Sequence, residues 1–187
     1  MRTGRSLLPW LLFMIFCFNA VAQEKDLKKY PGYINLEEIK IPEKAGEVTE
    51  VTLGPALLKI AAMADDNEDE DLDEVLAGLH GIQVKSFEIT SDEATTILPI
   101  MDRIEAKLNR EGWERLVQVK GEDERVVVSI KLDEEKVAGL FVMSLEPGVE
   151  AAFVNVIGEI NLNTLENLDI DLDDSTLDSL KKSLEKK

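Results

Sequence analysis

The stretch from Trp113 to Gly158 constrains this chain more than any other. It holds four runs rich in β-branched and aromatic residues, Trp113–Lys120, Arg125–Leu132, Val137–Leu145 and Glu150–Ile157. Three short turn signals divide them: Gly121-Glu122-Asp123-Glu124, Asp133-Glu134-Glu135-Lys136 and Pro147-Gly148. Strands this close in sequence and joined this tightly pair antiparallel. The last turn fits type II, with Pro and then Gly at its two central positions. The expected core is therefore a four-stranded antiparallel meander.

Side chains alternate between the faces of a strand. In the second run Val126, Val128, Ile130 and Leu132 share one side, which should meet the core. Val127, Ser129 and Lys131 share the other, which should meet water. The third and fourth runs are apolar on both sides. Phe141, Met143 and Leu145 oppose Leu140 and Val142, while Phe153 and Ile157 oppose Val154 and Val156. Such strands are central, or carry a face that awaits a cover.

Asn155 is the one amide inside these apolar runs. It reads as a ligand contact or as a buried amide bonded to backbone; buried amides are normally satisfied in the second way.

Upstream, Glu47–Leu53 alternates β-branched residues and reads as a strand, closed by Gly54-Pro55. Leu57, Leu58, Ile60, Ala61 and Ala64 follow at helical spacing. Gly81–Ile89 reads as another strand. Thr90 and Glu93 then form a capping box ahead of a helix carrying Ile97, Leu98, Met101, Ile104 and Leu108, with Pro99 predicted to kink or restart it and Gly112 to stop it. The class is α+β: the meander, one or two further N-terminal strands, and helices packed on one face.

The first residues read as an export signal. Arg2 and Arg5 precede an apolar run from Leu7 to Phe18, and Ala20-Val21-Ala22 supplies a cleavage site before Gln23. The run is shorter than the ~20 residues that cross a bilayer. Cys17, the one cysteine, lies inside that run behind Phe16, which excludes a lipidation site; what remains after cleavage has no disulfide and relies on its packed core. The expected organisation is a signal peptide over 1–22, an extended arm over 23–46, one α+β domain over 47–168 and an acidic tail with a short helix over 169–187. In the arm, Tyr30, Tyr33, Ile34, Leu36, Ile39 and Ile41 should dock along the domain rather than form its centre. The expected location is periplasmic or extracellular, without stable membrane insertion once the signal is cleaved.

Charge narrows the function. There are 38 Asp and Glu against 21 Lys and Arg, for a net charge of −17. A surface this negative repels nucleic-acid phosphates and anionic headgroups. Two acidic runs resemble calcium loops and fail the pattern. Asp65, Asn67 and Asp69 match the first ligand spacings, but Glu70 stands where Gly is needed and Leu76 where Glu is needed; Asp174 and Leu180 break the run from Asp169 in the same way. His80, the single histidine, is expected with Gly81 to close a short helix from Asp71, and has no ligand set around it. No nucleophile–base pair and no phosphate-cradling glycine loop is visible. The reading assigns no catalytic, cofactor-binding or metal residue.

The segments EVTEVTLGPALLKIAAM, NREGWERLVQVKGEDERVVVSIK and VAGLFVMSLEPGVEAAFVNVIGEINLNTLENL resemble the bacterial domain-of-unknown-function 4252 family. The Gly112-Trp113-Glu114 junction and the spacing of Asn155 and Gly158 carry the likeness. The resemblance implies a small exported α+β domain, brings no catalytic residues, and suggests by analogy a link to extracytoplasmic signalling. The expected function is an exported non-catalytic protein that binds or regulates another envelope protein. The alternatives are a carboxylate-based hydrolase, which needs two acids about 5–9 Å apart in a cleft, and a weak calcium-responsive acidic protein.

Overall fold

A computed structural model describes residues 26–64, 76–121, 124–134 and 136–160, without the side chains of 61–64. The expected signal peptide, the acidic run at 65–74, most of the helix from Asp71, and everything from Asn161 onward lie outside the described residues.

The fold is α+β, built on one six-stranded antiparallel sheet. Its strands are β1 (Val48–Leu53), β2 (Leu79–Glu88), β3 (Trp113–Lys120), β4 (Arg125–Asp133), β5 (Lys136–Glu146) and β6 (Glu150–Ile160). The spatial order is β1-β2-β6-β5-β4-β3. β5 and β6, apolar on both sides, are the two central strands. β2 joins the sheet by pairing with β6, Gln83 opposite Asn155 and Phe87 opposite Ala151. The β5–β6 turn is closed by a 3.0 Å bond from the Val149 amide to the Glu146 carbonyl, with Gly148 at φ 84°. That is the third residue of a type II turn, a position that favours glycine.

Helix α1 spans Pro55–Ala64 and helix α2 spans Ser91–Arg110. Thr90 and Glu93 form the capping box, and α2 runs through Pro99 as one helix without restarting. Ala94, Ile97, Met101 and Leu108 of α2 pack on one sheet face against Phe87, Val127, Phe141, Met143, Leu145 and Phe153. Leu58 of α1 belongs to a second, smaller cluster with Leu79, Ile130, Val137 and Ile160. The two helices thus serve different clusters, a division that the expectation of helices on a single face does not contain.

The arm, expected to lie along the domain, contributes to the main core. Leu27 is fully buried, and Ile34, Leu36 and Ile39 join the cluster beneath α2. The arm reaches the sheet because Gly32 and Gly139 leave room for it. A Cβ on Gly32 would come within 2.1 Å of the Ala138 carbonyl oxygen, and one on Gly139 within 2.6 Å of the Gly32 Cα. No side chain fits between backbones that close.

Two expectations are corrected. His80 and Gly81 do not end a helix; both lie in β2, which begins at Leu79. The face of β4 expected to meet water is the buried one from Arg125 to Ser129, while on the expected core face Ile130 is buried, in the cluster with Leu58. Arg125, Val127 and Ser129 are buried on the helix-covered face, while Val126 and Val128 stand half-buried on the other. The reason is α2, which brings Glu105 over β4 and gives Arg125 an ion-pair partner at 3.2 Å. A buried charge is tolerated when it is paired.

Candidate functional site: an open valine face

Asn155 lies fully buried on the covered face. Its Oδ1 accepts from the Ile34 amide at 2.9 Å, and its Nδ2 donates to the Gly32 carbonyl at 2.9 Å and the Leu140 carbonyl at 3.3 Å. Each polar atom of the amide is therefore bonded to backbone, and the residue pins the arm to β6. His80 stacks on Tyr30, centroid to centroid 3.8 Å with rings 14° apart. Burial holds its pKa below the ordinary value, opposed by nearby Glu159 and aided by Lys29.

The carboxylates that converge on the covered side are engaged by cations. Glu105 accepts from Arg115 and Arg125, and Arg125 also reaches Asp102 at 2.6 Å. Lys107 on α2 meets Glu38 at 2.7 Å, holding that carboxyl below its usual range. These oxygens serve as ion-pair partners that fasten α2 to the sheet and to the arm. Among the described residues, no group of three or more His, Cys, Asp or Glu side chains is placed to hold a metal ion.

A cleft of about 130 Å³ opens between the arm and β1, lined by Leu36, Glu37, Glu50, Thr52, Gln83 and Lys85 among others. Lys85 is spent on Glu50 at 2.7 Å. The buried Gln83 Oε1 has no protein partner there. The cleft is small beside the roughly 300–1,000 Å³ of ordinary ligand pockets, and one amide oxygen is within the capacity of a water molecule.

The opposite face of the sheet is different in kind. One valine from each strand falls into a single transverse row. Val51 lies opposite Val84, Val84 opposite Val154, Val154 opposite Val142, Val142 opposite Val128, and Val128 opposite Val117. Five inter-strand steps of ~4.8 Å make this row about 24 Å long. Val51 is exposed and the other five are half-buried. The row on one side is Leu53, Ile82, Val156, Leu140 and Ile130, with Glu114 at the β3 end; the row on the other is Thr49, Ser86, Ala152, Ser144, Val126 and Val119. Apart from Glu114 at the edge, these three rows carry no ionisable side chain.

This inverts the usual assignment of polarity. The covered face holds Gln83, Lys85, Arg125, Ser129 and Asn155, all buried, and the open face is valine, isoleucine, leucine and alanine with a few hydroxyls. One of these rows packs with Leu58 of α1, with Ile130 buried, and of the large apolar residues in the three rows Val51 and Val119 are the exposed ones. Large apolar patches on soluble proteins mark places where something docks. The alternation of valines is plain in the sequence, but their alignment across six strands depends on register, which pairs β2 with β6 over a long sequence gap.

The residues behind the family resemblance are structural here. Trp113 is buried in the main core, Gly112 and Gly158 adopt φ of 77° and 135°, and Asn155 holds the arm. No curated protein and no solved structure matches the chain. The family model described as a domain of unknown function, DUF4252, matches residues 43–168, from the arm through all six strands, and the chain belongs to that family.

Proposed function

We propose that this is an exported, non-catalytic protein that binds another envelope protein through the open face of its sheet. The observation that carries the reading is the row Val51, Val84, Val154, Val142, Val128 and Val117. A β-branched surface whose one carboxylate, Glu114, stands at its edge suits docking of an apolar partner element. The charged start, apolar run and Ala20-Val21-Ala22 of the sequence, read as an export signal, support a partner in the envelope. The hydrolase alternative loses ground because Asp102, Glu105 and Glu50 are each engaged by Arg or Lys.

The test is affinity capture from an envelope extract by the immobilised protein, run beside Val154→Lys. The reading expects a specific protein retained by the unaltered chain and lost with the variant. Retention of no specific protein, or equal retention by both, contradicts it.

A further inference from the structure

We propose that the partner adds an extended segment to the free edge of β1 as a further strand, and places a basic side chain in the cleft beside it. This rests on the binding role proposed above.

β1 and β3 are the two edges of the sheet. β3 is interrupted: its register with β4 shifts between Arg115 and Val117, and it carries Glu114, Arg115 and Lys120. Bulges and charges of this kind discourage strand addition. β1 has neither a bulge nor a cation. Its register with β2 runs unbroken from Val48 opposite Phe87 to Leu53 opposite Ile82, and Val48 to Val51 are exposed. The Glu88 amide bonds to the Glu47 carbonyl at 3.0 Å. Residues of an antiparallel strand bond to its two sides alternately. Thr49, Val51 and Leu53 therefore bond to β2, while Val48, Glu50 and Thr52 turn their N–H and C=O groups to the open edge. Among the described residues β1 pairs with β2 alone.

The cleft between the arm and β1 selects what an added strand carries. It is lined by Glu50 and Thr52, two of the outward residues, and by Glu37 of the arm. Lys85 answers one of these carboxylates, Glu50. Gln83 is only 4% exposed, and its Oε1 has no partner among the described residues. A buried acceptor beside a surplus carboxylate suits a side chain that is both cation and donor, as arginine is. A space of about 130 Å³ admits one such side chain rather than a free ligand. On the strand's other face, residues beside Thr49, Val51 and Leu53 prolong the valine row. The occupant is thus an extended segment, β-branched on one side and basic on the other. A second copy of β1 fits less well, because it brings its own Glu50 to this cleft and a second net charge of −17.

The experiment is an amide NMR titration of the full chain with acetyl-Thr-Val-Arg-Val-Thr-amide, and with the same peptide carrying Glu in place of Arg. The Arg peptide should shift the amides of Val48, Glu50 and Thr52 and the side-chain amide of Gln83, and bind at least about tenfold more tightly than the Glu peptide. Thr52→Pro removes an outward N–H and leaves the bonds to β2 in place; it should weaken the Arg peptide at least about tenfold. Equal affinity of the two peptides, unchanged affinity in Thr52→Pro, shifts away from β1, or no binding at millimolar concentration overturns the proposal. Should Thr52→Pro fold poorly, Glu37→Gln at an exposed position decides: weaker binding of the Arg peptide supports the proposal and unchanged binding overturns it. Peptide binding at β1 with equal envelope-protein capture by the unaltered chain and Val154→Lys defeats the valine-face reading alone. Capture that depends on Val154 without peptide binding at β1 defeats the added strand alone.

Discussion

Phe153 and Val154 are neighbours on β6 and point to opposite sides of the same sheet. Phe153 is fully buried beneath α2 and stacks toward Phe87 at 6.2 Å. Val154 stands half-buried in the middle of the valine row. The covered face mixes large aromatics with buried Gln, Lys, Arg, Ser and Asn, because a helix and an arm are present to fill volume and pair the polar groups. The open face is small, β-branched and almost free of charge. Polarity alone would have put water on the wrong side. What decides is whether another element of the chain brings a partner for each buried polar group.

The contrast is broken or sharpened most strongly by truncating these two neighbours. Phe153→Ala should cost about 3–5 kcal/mol of unfolding free energy, as expected for a large core side chain. Val154→Ala removes two methyl-sized groups, and at ~0.8 kcal/mol each costs no more than about 1.6 kcal/mol. Urea titration of both variants measures the difference; equal losses would mean that the faces are equally packed.

Asn155→Leu comes next. It leaves the Ile34 amide and the Gly32 carbonyl without their bonds, at about 1–3 kcal/mol for each group left unpaired. Amide exchange at Ile34 should accelerate with it, because the arm loses its anchor on β6. A smaller effect is expected at Thr90→Ala. The capping box is lost, for about 1 kcal/mol, and protection should fall in α2 before it falls in the valine strands.

The smallest effect is a pH dependence at the arm. Burial depresses the His80 pKa, so as pH falls the unfolded chain takes up the proton first. The contribution of His80 to stability is complete above the unfolded value of 6.5 and declines as pH drops from there toward the depressed folded value. His80→Phe keeps a ring against Tyr30 and should remove that decline from a stability-versus-pH profile. A decline unchanged in the variant would assign it to other groups.

The local elements were legible in the sequence for physical reasons. β3 to β6 announced themselves through β-branched runs and turn residues, and the Thr90–Glu93 box marked the start of α2 to the residue. The double apolarity of β5 and β6 pointed to their central position. Nothing local showed that β2 pairs with β6, since that choice depends on long-range closure of the sheet. The burial of β4 from Arg125 to Ser129 was hidden because Arg125 looks like a surface residue until Glu105 and Asp102 are brought over it by α2. The arm's place in the core depends on Gly32 meeting Gly139, a contact between residues far apart in sequence. The valine row was visible only as fragments, one residue per strand, until register joined them.

The role of that row is tested most directly by measuring the affinity of a captured envelope partner, by calorimetric titration, for three forms of the protein. These are the unaltered chain, a Val142→Lys/Val154→Lys variant in the middle of the row, and Ala106→Lys on the exposed side of α2. The account predicts a loss of at least about 100-fold, or about 2.7 kcal/mol at 1.36 kcal/mol per decade, for the double variant and no change for Ala106→Lys. Undiminished affinity of the double variant, or an equal loss at Ala106, would contradict it.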